Sequence, residues 1–304
     1  MSDVCDVVIV GGGPAGLSAA IVLGRCRWRI VLCDVGQPRN QASRGVHCLL
    51  GHEGISPSAL LARGRLELAQ YPTVTPRGDR VTDITPSENQ FVVVCADGFT
   101  VTARKVLLTT GLIDEVPRLE GIERLYGRSV HHCPYCDGFE HRDQPLAVYG
   151  AGDKGAGLAL MMKQWSSDVL LCTDGLSPVS PSMLARIQQH GITVCSEPIS
   201  RLEGTDDGAL KAIHLQSGKV LNRAAIFFAT GCRQASALSA SLGCARDKKG
   251  GIITDPVTEE SSVRGVYVAG DASREVLLVA VAIAEGAKAA VAINRALLQD
   301  DGLG

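Results

Sequence analysis

An α/β fold with parallel sheets is predicted by three features of the chain. A strand–turn–helix–strand unit occurs twice, each copy opens on a G-x-G-x-x-G turn, and an acid closes each second strand. In the first copy, residues 6–10 form a continuous apolar run rich in β-branched side chains, as a strand buried on both faces requires. Gly11-Gly12-Gly13-Pro14-Ala15-Gly16 follows, then a helical stretch over 17–24 and a strand over 29–33 that ends on Asp34. Glycine lets the backbone approach a pyrophosphate, and the helix N-terminus offers free N–H groups and a positive dipole end. The interval from Gly11 to Asp34, 23 residues, suits an acid that binds ribose hydroxyls. An ordinary tight turn would account for the glycines alone. It does not account for the strand, helix and acid placed around them.

Two further strands belong with this unit. The strand that starts at Lys105 runs through Val106-Leu107-Leu108 into Thr109-Thr110-Gly111, and 265–270 run into Asp271. Asp271 could accept a hydrogen bond from a polyol such as ribitol; as an isolated residue it would more often be a helix cap.

The second copy opens after the strand 146–149, with Gly150-Ala151-Gly152-Asp153-Lys154-Gly155. A helix to about Trp165 and a strand over 169–173 then end on Asp174, 24 residues from Gly150. This repeat is the strongest organisational feature of the chain. A site selecting NADP wants arginine at this strand end to bind the 2′-phosphate. Here residues 172–177 hold no Arg or Lys, and Asp174 would repel that phosphate. The second site is therefore expected to suit NADH or the adenosine half of a second FAD better than NADPH, with an empty relic as the remaining option.

Composition limits the function classes. A chain of 304 residues accommodates about two domains. A net charge of −2 gives no electrostatic reason to expect nucleic acid or an anionic membrane. The apolar run 276–284 meets Glu285 and Lys288, too soon to span a bilayer. Residues 1–6 lack the basic and apolar segments of a signal peptide, so a cytoplasmic location is expected. Eleven cysteines are present. Nine stand alone and read as small buried hydrophobes in a reducing compartment.

Cys133 and Cys136 differ. Cys133-Pro134-Tyr135-Cys136-Asp137 lies between the two glycine turns. Two cysteines at this spacing can close a small disulfide ring and exchange it with another dithiol. Proline suits the first position of a short helix, which would set Cys133 at the positive dipole end as nucleophile and Cys136 one turn inside, facing a cofactor. Asp137 could hand a proton to a leaving thiolate. Half of a zinc site is the competing reading, but no second C-x-x-C or H-x-x-x-H pair completes it, so no metal is expected. His131 and His132 read either as bases assisting the thiols or as exposed residues before a helix.

From residue 6 to about 294, this order of motifs resembles the low-molecular-weight thioredoxin reductase family. The shared series is the first glycine turn, the Thr-Thr-Gly strand end, C-x-x-C-D-G, the second glycine turn, and Gly270-Asp271 near the C-terminus. The resemblance implies two Rossmann-like dinucleotide-binding domains of the three-layer ββα type, the second inserted in the first. The expected FAD domain covers 1–115 and 247–304, and the dithiol-bearing domain covers 116–246. FAD is expected at Gly11, Gly13, Pro14, Ala15, Gly16, Asp34, Gly36, Gly111, Gly270, Asp271 and Ala280, with its isoalloxazine over the dithiol. Gly150, Gly152, Gly155 and Asp174 would form the second nucleotide site. A homodimer is implied, as is an inserted domain that rotates.

Departures from the family pattern matter as much. Its basic motif after the second glycine turn is absent, and Leu278 and Val279 stand where an Arg-Gln pair is expected. Two subgroups are closer: dithiol oxidases that pass electrons through flavin to oxygen, and diflavin-linked disulfide oxidoreductases with a second FAD, on whose ring Tyr149 or Tyr135 could stack. The expected activity is electron exchange between FAD, the Cys133–Cys136 disulfide and an external dithiol or disulfide, on thioredoxin, another protein or a small molecule. A non-catalytic flavin redox sensor is the rival.

Overall fold

The computed structural model describes residues 3–273 and 276–303. The chain begins with β1 (Asp3–Val10), α1 (Pro14–Arg25), β2 (Ile30–Cys33), α2 (Pro57–Leu68) and β3 (Val74–Arg77). A meander follows, β4 (Val81–Ser87), β5 (Gln90–Cys95) and β6 (Thr100–Leu108). β6 is shared: its first half pairs antiparallel with β5, and its last residues pair parallel with β17 (Val266–Val268). The sheet order is β3-β2-β1-β6-β5-β4, with β17 beside β6. Helices α1 and α8 (Val279–Asp300) cover one face, packing Leu17, Leu23, Ala289 and Ile293 against Ile9 and Leu107. The other face buries Val8, Val106 and Val268 under the meander. Apolar side chains on both faces of β1 and β6 make this three-layer arrangement the one that removes them from water.

The inserted unit runs through β7 (Leu112–Asp114), α3 (Ile122–Leu125), β8 (Val130–His131), α4 (Pro134–Asp137), β9 (Leu146–Tyr149), α5 (Gly152–Met162), β10 (Val169–Cys172), α6 (Pro181–Gln189) and β11 (Thr193–Cys195). A small antiparallel sheet, β12 (Ile199–Gly204), β13 (Leu210–Leu215) and β14 (Val220–Leu221), precedes β15 (Ala225–Phe228) and β16 (Cys232–Gln234). Its main sheet, β11-β10-β9-β15-β8, is parallel throughout. Met162, Leu171 and Phe227 fill one face and Val130, Tyr149 and Phe228 the other.

β7 pairs with β16, so the chain leaves and re-enters the first unit through one two-stranded ribbon. Beyond it, α7 (Leu238–Ser241) already belongs to the first core: Leu238, Leu242 and Cys244 pack with Val8 and Val106. Among the described residues no helix is long and apolar enough to cross a membrane.

Candidate active site

The first glycine turn is built by close approach. A Cβ on Gly16 would stand 1.9 Å from the Gly11 carbonyl oxygen, and one on Gly11 would stand 2.4 Å from that of Thr109. The Thr109 hydroxyl donates to the Val10 and Gly11 carbonyls, at 3.0 and 2.7 Å, and locks the turn against β6. Gly13, by contrast, faces open space within 4 Å and caps α1 with no side-chain hydrogen bond. A helix N-terminus left uncapped beside open space is suited to a pyrophosphate.

From there a cavity of about 550 Å³ runs past Asp34, Gly111, Gly270 and Asp271 to Cys136 and Asp137. Gly11, Gly13, Pro14 and Ala15 line it. Gly16, Gly36 and Ala280 are not among its lining residues. Gly16 serves the packing of the turn, and α8 presents Leu278, Val279 and Ala282 instead of Ala280. The volume, the glycine cradle and the two acids fit a dinucleotide, and the cavity that would hold it reaches the dithiol.

The dithiol is closed: Cys133 and Cys136 form a disulfide with Cα atoms 5.3 Å apart. Cys136 and Asp137 line the cavity; Cys133, half-buried, does not. α4 is a single turn with Pro134 at its first position, so the expected long-range dipole is small. What faces the Cys133 sulfur is one specific donor, the Cys136 N–H at 3.2 Å. Gly138 follows because a Cβ there would strike the Pro134 carbonyl at 2.5 Å and the Trp165 ring at 2.9 Å.

Neither histidine is exposed, contrary to one of the two expectations. His131 is buried, with Nδ1 3.2 Å from Asp137 Oδ1 and Nε2 3.1 Å from Nε2 of His141. His132 Nδ1 lies 3.6 Å from Asp114 Oδ2, and burial pushes its pKa down despite that carboxylate.

Three residues that carry no sequence signal complete the cavity wall. Arg39 pairs with Asp114 at 2.5 and 3.0 Å and with Asp271 at 2.8 Å. The Tyr126 hydroxyl donates to Asp114 at 3.0 Å. Burial works against the Asp114 charge, yet Arg39, His132 and Tyr126 together hold it below the usual carboxylate range. Asp271, read as a ribitol acceptor, is thus also one end of an ion-pair chain.

The second glycine turn repeats the packing of the first: a Cβ on Gly155 would lie 2.5 Å from the Gly150 carbonyl oxygen. Its ligand face differs. The Gly152 N–H donates to the Ser177 carbonyl at 2.9 Å, and the Asp153 carboxylate accepts from the Ser180 N–H and hydroxyl, each at 2.8 Å. Asp174 accepts from the Tyr149 hydroxyl at 2.8 Å and the Ile199 N–H at 2.7 Å. Tyr149 is buried in this arrangement and presents no ring face for stacking; Tyr135 is exposed, edge-on to Trp165. A smaller cavity of about 290 Å³ lies nearby, lined by Lys154, Leu158, Met161 and Phe228 and sharing Arg39, Asp114 and His132 with the first. Gly150, Gly152, Gly155 and Asp174 line neither cavity. Among the described residues no cluster of three or more His, Cys, Asp or Glu could hold a metal ion.

Comparison with known proteins is consistent along nearly the whole chain. The model of the pyridine nucleotide-disulphide oxidoreductase family matches residues 5–286. A probable thioredoxin reductase of Arthroderma benhamiae is 28% identical, over 89% of this chain and 74% of its own length. A putative thioredoxin reductase TrxB of Bacillus anthracis superposes with a TM-score of 0.91 at 30% identity, covering 97% of this chain and 99% of that one. The structure of HlmI gives 0.93 at 34% identity, covering 98% and 94%.

Proposed function

The chain belongs to the pyridine nucleotide-disulphide oxidoreductase family and is a thioredoxin-reductase-like, FAD-dependent disulfide oxidoreductase; on that premise we propose that it works without NADPH, as a dithiol oxidase. One observation carries this reading. At the second glycine turn the Gly152 N–H is bonded to Ser177, and each oxygen of the acid that would meet a ribose already accepts a bond, from Tyr149 and from Ile199. No arginine or lysine follows β10 to hold a 2′-phosphate. The same closure argues against a second FAD and against NADH. Oxygen is then the electron acceptor, and an external dithiol the donor.

FAD would be held by Gly11, Gly13, Pro14, Ala15, Asp34, Gly111, Gly270 and Asp271. When bound, it supplies a two-electron acceptor for the reduced dithiol. The chain divides the remaining work between its two cysteines. Cys133, which does not line the cavity, takes the attack of a partner thiolate on its sulfur, and the Cys136 sulfur leaves. A second partner thiol attacks the mixed disulfide, releasing Cys133 and leaving the partner oxidised. Asp137, beside Cys136 in the cavity wall, holds the proton that the leaving sulfur needs. The partner is a thioredoxin-like protein or a small dithiol, and the working unit is a homodimer in the cytoplasm.

Anaerobic addition of NADPH, NADH or dithiothreitol to the purified holoprotein tests this, with loss of oxidised-flavin absorbance as the readout. Dithiothreitol should bleach the flavin and both nicotinamides should leave it unchanged. Rapid bleaching by NADPH would overturn the reading.

A further inference from the structure

Two pairs among the nine free cysteines lie side by side in space, and the exchange chemistry described above uses neither. Cys33 and Cys95 have their sulfurs 3.8 Å apart. Both are closed to solvent, burial pushes both pKa values up, and Cys33 faces the cavity that would hold FAD. That pair is a core contact.

Cys172 and Cys195 are placed differently. They are register partners on the parallel strands β10 and β11, each the last residue of its strand. Both side chains lie on one face of the sheet, in the core that holds Tyr149 and Phe228, whereas their strand neighbours Leu171 and Val194 pack on the other face with Met162. Neighbouring strands run about 4.8 Å apart, within the Cα separation of roughly 4.4–6.8 Å that a disulfide spans. The Cys133–Cys136 bond of this chain closes at 5.3 Å. β11 is the edge strand of its sheet, so Cys195 can make the small rotation that two parallel Cβ vectors require.

The pair has one open end. Cys172 is 1% exposed, while Cys195 is half-buried at the rim, where the chain turns from β11 toward β12. Cys195 is therefore the sulfur that an outside reagent meets. Its charge state agrees with that role: the neighbouring Cys172 thiol pulls the Cys195 pKa down, to about 6, and Cys172 goes up in return. The accessible sulfur is also the thiolate, the form that reacts.

We infer that Cys172 and Cys195 are a second redox centre of this chain, an oxidation site that takes a hydroperoxide and closes to a cross-strand disulfide. The Cys195 thiolate attacks one peroxide oxygen, the O–O bond breaks, and the other oxygen leaves as water with a proton from solvent. Cys195 then carries a sulfenic acid. The Cys172 thiol attacks the Cys195 sulfur, and the sulfenic oxygen leaves with the Cys172 proton as a second water. Two thiols lose two electrons and the peroxide gains them. An external dithiol reopens the bond at Cys195 and is itself oxidised. Nothing in these steps depends on which compound accepts electrons from FAD. Oxygen reduction at the flavin, as read above, supplies peroxide in the same molecule; added hydrogen peroxide supplies it without that reading.

The test treats the purified holoprotein with a small excess of hydrogen peroxide, blocks remaining thiols with N-ethylmaleimide in denaturing acid, and reads unreduced tryptic peptides by mass spectrometry. Cys172 and Cys195 fall in separate peptides, 164–186 and 187–201, so their bond appears as one linked pair. The linked pair should be absent before peroxide, appear with loss of both maleimide labels, and vanish with dithiothreitol. Cys33 and Cys95 should keep their labels. Linkage of Cys33 to Cys95 instead, Cys195 oxidised to sulfinic acid with Cys172 still labelled, or full labelling of both cysteines would overturn the inference. Cys172→Ala removes the resolving thiol and should leave Cys195 as a sulfenic acid that dimedone traps. An equal dimedone adduct in wild type and Cys172→Ala would contradict the pairing.

Discussion

Ser177 presents its carbonyl oxygen 2.9 Å from the Gly152 N–H, at the head of the helix where the second nucleotide fold would receive a phosphate. The bond is backbone to backbone, so no side-chain substitution at Ser177 removes it. With Asp153 anchoring Ser180, it holds the segment after β10 across the N-terminus of α5.

Asp174 is therefore expected to be structural. Asp174→Ala leaves the Tyr149 hydroxyl and the Ile199 N–H without their acceptor, a loss of about 1–3 kcal/mol. Urea denaturation should show this loss, while NADPH should still fail to reduce the flavin.

Gly13→Ala and Gly16→Ala should separate binding from folding. Gly13 has φ −73° and nothing near its Cβ position, so alanine is tolerated by the backbone but intrudes where the pyrophosphate approaches. The variant should fold and purify with a much reduced flavin-to-protein ratio. Alanine at Gly16 meets the Gly11 carbonyl at 1.9 Å and should lower soluble yield and thermal stability instead.

Arg39→Met strands Asp114, whose side chain is 4% exposed, and removes the partner of Asp271. Breaking a buried pair by removing one member costs about 3–5 kcal/mol. Asp114→Asn in the same chain should recover part of that loss, and a double-mutant cycle by chemical denaturation would measure the coupling.

Acid should destabilise the fold in a window set by His141. Its folded pKa lies near 4, below the ordinary 6.5, so the folded state takes up its proton later than the unfolded chain. Stability from this residue is fully present above about pH 6.5 and is lost as pH falls toward 4, by at most about 3 kcal/mol. Denaturation midpoints of His141→Phe should fall less steeply than wild type across that window.

Much of the fold was legible because it is local. Strand, glycine turn, helix and acid lie within some two dozen residues, and the Gly11–Gly16 and Gly150–Gly155 approaches follow from that spacing. Cys136 facing the cavity was legible for the same reason, being one turn from Cys133. What was not legible depends on residues far apart in the chain. Arg39 meets Asp271 across 232 positions, and Glu120 to Leu202 and β7 to β16 tie segments that share no periodicity. That His131 is buried and His132 half-buried depends on Phe227, Phe228 and His141, which no pattern around the dithiol announces. Asp174 shows the converse: its position suggested a ribose ligand, yet the fold gives both its oxygens to Tyr149 and Ile199.

The most direct test compares absorption spectra of the Cys133→Ser and Cys136→Ser holoproteins above neutral pH. If the Cys136 sulfur is the one turned toward the flavin, Cys133→Ser should show a long-wavelength thiolate–flavin charge-transfer band and Cys136→Ser should lack it. A band in Cys136→Ser alone, or in neither variant, would contradict the placement on which the mechanism stands.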